Sequence, residues 1–254
     1  RELRQMEGGW YDADKVTNSK QRVDRLGFFT DVAIETPAVP GTADQLDVNM
    51  TVTEKPTGNL MLGLGTSSTD KVILSGSIAQ NNFMGSGNNV AIQVNSAKRY
   101  ATYVFSYTNP YFTPDGISQG FDIYHRTVDT SSTAVAPYKS QSTGGNIRFG
   151  FPIGEKESLG IGLGIDSTTI TAFSDSPKYY KDFVSEFGET NLSIPVSLNW
   201  ISDGKDSFFF PTKGTYQKAG IEIAIPGGDL TFYRATYQLQ HYIPLNSKFT
   251  VMLN

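Results

Sequence analysis

Leu159-Gly160-Ile161-Gly162-Leu163-Gly164-Ile165 places a branched apolar residue at every second position, with glycine between. A β-strand turns successive side chains to opposite faces, so this stretch has one wholly apolar face and one nearly bare one. The same period runs through the chain from about residue 57. Leu60, Leu62 and Leu64 alternate with Met61, Gly63 and Gly65. Tyr103, Phe105 and Tyr107 share a face, and Ile147, Phe149 and Phe151 alternate with Asn146, Arg148 and Gly150. Leu192, Ile194, Val196, Leu198 and Trp200 repeat the pattern. Ala219, Ile221, Ile223 and Ile225 oppose Lys218, Gly220 and Glu222; Tyr233, Ala235, Tyr237 and Leu239 oppose Arg234, Thr236, Gln238 and Gln240. This reads as about eleven strands, each near the ~9–11 residues that cross a bilayer at a tilt.

Alternation alone also fits a soluble sandwich, which hides the apolar face and wets the polar one. Two features favour a membrane barrel. The strands are long compared with the ~5–6 residues usual in a sandwich. The polar faces also carry small or charged residues such as Gly162, Arg148, Glu222 and Arg234, which suit a crowded lumen.

The connections support this choice. One set follows an aromatic residue: Phe83, Phe112, Phe151, Phe210 and Tyr242 precede residues 84–88, 113–116, 152–157, 211–214 and 244–248. The other set is more variable and includes long polar stretches at 129–143 and 169–190. Short turns with an aromatic girdle on one side and longer loops on the other describe an outer-membrane barrel. Aromatic–proline turn chemistry accounts for single cases, less easily for five on one side.

Composition sets the bounds. The 254 residues carry a net charge of −4 and a pI near 5.2, which argues against a nucleic-acid surface. Without cysteine there are no disulfides, thiolate metal ligands or cysteine nucleophiles. No apolar run approaches the roughly 18 residues of a helical span. The mean hydropathy of −0.29 is no objection to a barrel, because only alternate residues face lipid. The chain begins at Arg1 rather than Met, with no signal peptide, which reads as a domain cut. Residues 249–254 stop inside an alternating strand, so more strands are expected downstream to close the edge.

Residues 1–55 differ from the rest. Residues 12–26 hold Val16, Val23 and Leu26 among charged neighbours, which predicts a short amphipathic helix stopped by Gly27. Residues 32–34 and 48–52 read as strands joined by the turn-rich segment 37–44. This small α+β unit has too few residues for a large core of its own.

Several motifs carry a family resemblance. Arg4-Gln5-Met6-Glu7-Gly8 through Trp10, Arg25-Leu26-Gly27-Phe28-Phe29, and residues 47–55 resemble the last POTRA domain of the BamA family. Thr108-Asn109-Pro110-Tyr111-Phe112, Gly150-Phe151-Pro152-Ile153 and Phe210-Pro211-Thr212-Lys213-Gly214 resemble turns of its barrel. The motifs run collinearly over essentially the whole chain. The expected fold is mainly β: residues 1–55 a partial α+β POTRA domain, and residues 56–254 the first strands of an antiparallel transmembrane barrel of about sixteen.

The resemblance implies assembly and insertion of β-barrel proteins in the bacterial outer membrane, with the N-terminal region in the periplasm and no nucleotide or metal. Its partners would be unfolded outer-membrane proteins, the lipoprotein BamD, the other Bam lipoproteins and outer-membrane lipid. The first barrel strand, about residues 58–67 with Leu60, Leu62, Gly63, Leu64 and Gly65, would form one side of a lateral gate that templates incoming strands. Gly63 and Gly65 either weaken strand pairing there or serve as small lumen residues. Arg4 and Glu7 match the helix surface that meets BamD in the family. The sixth loop with its Arg-Gly-Phe motif and the terminal strand are not in this chain. A POTRA-barrel pore exporting one dedicated partner is the alternative. A passive porin has no need of the N-terminal unit.

Enzyme readings find little footing, and the expectation is a protein without catalytic residues. His125 and His241 fall on different strands with no ligand-spaced acids nearby. Asp203, Lys205 and Asp206, before the run 208–210, read as polar lumen contacts beside a turn. Gly85-Ser86-Gly87 lacks the following helix of a phosphate loop.

Overall fold

In the computed structural model the stretch around residue 160 is a strand in the middle of one antiparallel sheet. The structure describes residues 2–67, 71–132, 136–207, 210–246 and 249–254; Phe208, Phe209 and Lys248 of the motifs above lie outside them.

The N-terminal unit consists of α1 (Ala13–Arg25) and the paired strands β1 (Phe29–Glu35) and β2 (Asn49–Glu54). Asp12 caps α1, its carboxylate accepting from the amides of Asp14 and Lys15 at 2.9 and 3.2 Å. Gly27, at φ 69°, takes the left-handed conformation that ends the helix and turns the chain into β1. Val23 of α1 and Val32 of β1 are buried. Asp12→Ala removes the cap and should destabilise the first turn by about 1 kcal/mol. Amide exchange at residues 14–16 of the folded protein should then quicken roughly fivefold; unchanged exchange would refute the cap.

Residues 55–57 lead directly into the large sheet. Its strands are β3 (Gly58–Ser67), β4 (Lys71–Gln80), β5 (Asn89–Ser96), β6 (Tyr100–Asn109), β7 (Ser118–Asp129), β8 (Tyr138–Pro152) and β9 (Glu157–Ala172). After the helix α2 (Lys178–Phe187) come β10 (Thr190–Ser193), β11 (Pro195–Asp203), β12 (Gly214–Ala224), β13 (Tyr233–Pro244) and β14 (Thr250–Leu253). Each strand pairs with its sequence neighbours, from β3 at one edge to β14 at the other. β10 and β11 pair with β9 in one register, Ser193 opposite Asp166 and Val196 opposite Leu163. They act as one strand interrupted at Ile194, next to Pro195, which has no amide to donate. The sheet therefore has eleven consecutive positions, the number read from the periodicity.

Among the described residues the sheet encloses no apolar core. One face carries continuous cross-strand rows, such as Ile78–Ile92–Phe105–Ile123 and Ile147–Leu163–Val196–Ile223. Most of these residues stay exposed, Ile123 at 58% and Leu163 at 55%. A sandwich would cover them with a second sheet; here the apolar face is left for lipid, as in a barrel wall.

Alternate hairpin ends fall on the same side of an antiparallel meander. The connections after Phe83, Phe112, Phe151, Phe210 and Tyr242 thus share one end, where residues 55–57 also enter. At the other end the expected loops are shorter than 129–143 and 169–190. β8 begins at Tyr138 and β9 runs to Ala172, with Gln141 opposite Thr169 and Lys139 opposite Thr171. These residues are polar but rich in threonine, which suits a pleated strand, so hydropathy misses the extension. The remaining segment contains α2, whose Tyr180 ring stacks on Tyr138 at 4.4 Å.

Candidate functional site

β3 is the edge strand nearest the N-terminal unit, and its bounds are those read from the sequence. It pairs with β4 from Gly58 opposite Gln80 to Ser67 opposite Lys71. The Asn81 amide donates to the Thr57 carbonyl at 3.1 Å, which fixes the phase of this ladder. In an antiparallel pair, hydrogen-bonded and non-bonded positions alternate. Odd-numbered residues of β3 therefore bond to β4. The N–H and C=O groups of Leu60, Leu62 and Leu64 point instead to the open edge, and no described strand lies there.

The side chains of the same three leucines stand on the apolar face. Leu62 is 77% and Leu64 82% exposed. Gly63 and Gly65 lie on the polar face and are not equivalent. A Cβ on Gly63 would sit 2.5 Å from the Ser75 hydroxyl, whereas Gly65 has only ordinary contact with Ile73. The strand thus turns these backbone groups away from β4 beside a dense apolar row, in one segment.

The polar face carries a hollow of about 550 Å³ lined by Ser118, Asn146, Arg148, Ser197, Asn199 and Glu222 among others. Arg148 crosses above Gly120, where a Cβ would meet its guanidinium at 2.9 Å. Beyond it, Arg148 donates to Thr108 at 3.0 Å and pairs with Asp122. Tyr124 donates to Asp166 at 2.5 Å, and Thr168 donates to the other oxygen at 2.6 Å. Glu222 and Arg234 pair at 3.5 Å. These contacts tie neighbouring strands together from the inside.

The remaining sequence candidates are distributed differently. His125 contacts Thr143 at 2.7 Å on the apolar face, and His241 contacts Thr215 at 2.9 Å. Asp206 does not reach into the lumen. Its carboxylate takes the Thr212 hydroxyl and the amides of Thr212 and Lys213, organising the turn between β11 and β12. The Thr212 hydroxyl and those amides pull its carboxyl down to about 2. Asp203 pairs with Lys205. Gly85 and Gly87, both at positive φ, belong to the turn before β5.

Arg4 and Glu7 are not on a helix. They precede α1 in a segment broken at Gly8, which sits at φ 70°. Glu7 is exposed, while Arg4 reaches Glu155 in the turn between β8 and β9 at 3.0 Å. Sequence reading missed Glu155, because one acid in an exposed turn has no periodic signature.

Comparison with known proteins adds to this geometry. Residues 82–254 match the Omp85 superfamily domain. Residues 1–55 match the surface antigen variable number repeat, the POTRA unit. The chain is 35% identical over its full length to the outer membrane protein assembly factor BamA of Neisseria meningitidis serogroup B, covering 33% of that protein. A crystal structure of BamA from Haemophilus ducreyi lacking POTRA domains 1–3 is 29% identical with a TM-score of 0.67, over 97% of this chain and 49% of the other. CdiB from Escherichia coli shares the fold at 13% identity and a TM-score of 0.56, over 99% of this chain and 49% of that one. The chain thus spans about a third of the curated BamA's length and about half of each solved chain.

Proposed function

The chain belongs to the Omp85 superfamily, and on that premise we propose that the complete protein assembles and inserts β-barrel proteins into the bacterial outer membrane. In this reading β3 is one side of a lateral gate, and incoming strands pair with it. The observation that carries the proposal is the register of β3 on β4, which turns the backbone groups of Leu60, Leu62 and Leu64 away from β4 beside an exposed leucine row, toward the side where the closing strand of the complete protein or an incoming strand would pair. A polar group left unpaired in hydrocarbon costs several kcal/mol, so this edge is satisfied either by the strand that closes the barrel or by an incoming strand that takes its place. Strand addition to an exposed edge supplies main-chain hydrogen bonds without requiring a particular side-chain sequence. That suits a machine with many substrates.

The other parts fit the same reading. The apolar face contacts outer-membrane lipid, and the N-terminal unit stands in the periplasm, where Arg4, Glu7 and their neighbours meet BamD and the other Bam lipoproteins. The mechanism is pairing and local membrane disturbance, with no catalytic residue, nucleotide or metal. Reconstituting the complete protein with its lipoproteins in liposomes tests it directly. Faster insertion of an unfolded barrel substrate is the expected result. No acceleration, together with export of a single large partner through a conducting pore, would replace this reading with a secretion pore.

A further inference from the structure

Among the described residues, the N-terminal unit is tied to the sheet both covalently and by an ion pair, at the same end. The covalent tie runs through residues 55–57 into β3. The ionic one lies five hairpin partners away, at the turn between β8 and β9. There the two Glu155 oxygens are divided between two arginines: Oε1 accepts from Arg4 Nε at 3.0 Å and Oε2 from Arg22 Nη1 at 3.1 Å.

Both arginines are positioned from within the N-terminal unit. The Arg4 amide donates to Ser19 Oγ at 2.7 Å, and that hydroxyl donates to the Lys15 carbonyl of α1. Ser19 is only 2% exposed, so the segment carrying Arg4 is pinned to the helix. Arg22 Nε donates to Glu2 at 2.9 Å, which fixes the guanidinium and leaves its other edge for Glu155. On the sheet side, the amides of Ile153 and Gly154 both donate to the Glu157 carbonyl and hold the turn that presents Glu155. Two prepared donors therefore meet one acceptor. Burial pushes the Glu155 carboxyl up, but the Arg22 hydrogen bond and the charges of Arg4 and Arg22 outweigh it and hold it below its ordinary value.

We propose that Glu155 is the release point of a salt-sensitive latch fixing the orientation of the N-terminal unit against the sheet. The pairs are partly exposed, Glu155 at 51% and Arg4 at 40%. Pairs of this kind are individually weak and screened by salt, so the contact is reversible. When it opens, the unit stays attached through residues 55–57 and swings about them. The latch does not depend on what β3 pairs with, but it engages Arg4, which the proposed function also sets against BamD, so it is tested without the lipoproteins.

The test uses the complete protein in lipid nanodiscs, with spin labels on cysteines replacing exposed Lys20 on α1 and Asp115 between β6 and β7. In low salt, one narrow distance is expected. Glu155→Gln keeps the turn's shape and removes the charge; it should broaden the distribution, with about tenfold more open population. Raising the salt to about 0.5 M should broaden the unsubstituted protein in the same way. Arg4→Glu with Arg22→Glu should also open it. Reversing all four charges, by adding Glu2→Arg and Glu155→Arg to that pair, should restore the narrow distance. A Glu155→Gln distribution as narrow as the original, or a four-charge reversal as broad as the arginine double variant, would overturn the latch. Unchanged heat-modifiable gel mobility reports that each variant is folded.

Discussion

Leu62→Pro in the complete protein should slow substrate insertion at least tenfold while leaving the barrel folded. Proline removes one backbone donor and sets φ near −65°. At most positions in a sheet this would break the ladder. At Leu62 the N–H points away from β4, because the bonds to β4 fall on the odd-numbered residues. Edge strands accept proline where the missing donor faces outward. In the proposed mechanism the substitution deletes a group offered to an incoming strand and spares the β3–β4 pairing. An acceptor left unpaired in hydrocarbon costs several kcal/mol, and each 1.4 kcal/mol in a barrier is about tenfold in rate. Leu62→Ala keeps the donor and should lose far less. Gly63→Pro removes a ladder donor and should impair folding itself. Equal insertion rates for Leu62→Pro and the unsubstituted protein would dismiss the edge from the mechanism.

A second large effect separates the two faces of the sheet at adjacent residues. Ile92 stands on the apolar face, between Ile78 and Phe105, and Gln93 on the polar face, between Ser77 and Val104. Ile92→Arg should destabilise the barrel by about 2–4 kcal/mol, the cost of a charge on the lipid face near mid-depth. Gln93→Arg faces a lumen already holding Arg148, Asp122, Glu222 and Arg234, and should change stability by no more than about 0.5 kcal/mol. Denaturant unfolding of the complete protein in lipid vesicles measures both. Comparable effects at the two positions would mean that the exposed rows do not contact lipid.

Much of this fold was legible because the period of two survives averaging over whole strands. Leu60, Leu62 and Leu64 alone locate β3, and Gly27 after Leu26 marks the helix end. Other elements left weaker traces. α2 has a proline before it, a glycine after it and Phe183 four residues from Phe187, which are helix signals. The polar composition of residues 169–190 hides them. The break between β10 and β11 left the alternation of Leu192, Ile194 and Val196 intact, so only the pairing reveals it. The face of a strand can be read from residue type, but the direction of its backbone bonds cannot. That depends on the register set by Thr57 and Asn81, which turns the backbone groups of Leu60, Leu62 and Leu64 away from β4. Glu155 had no signal in the chain at all. Its partners are more than a hundred residues distant, and only the fold brings them together.

The most direct test of the central claim is a disulfide scan between β3 and a substrate caught during insertion. Single cysteines replace Leu60, Leu62 or Leu64 in the complete protein, each paired with single cysteines along the terminal strand of an unfolded barrel substrate. Cross-links are expected at all three positions. The reactive substrate residue should move by two each time the β3 cysteine moves by two, because paired strands hold a register. A cysteine at Ile147, in the middle of the sheet, should give none. Cross-links without such a register, or none at β3, would contradict strand pairing at this edge.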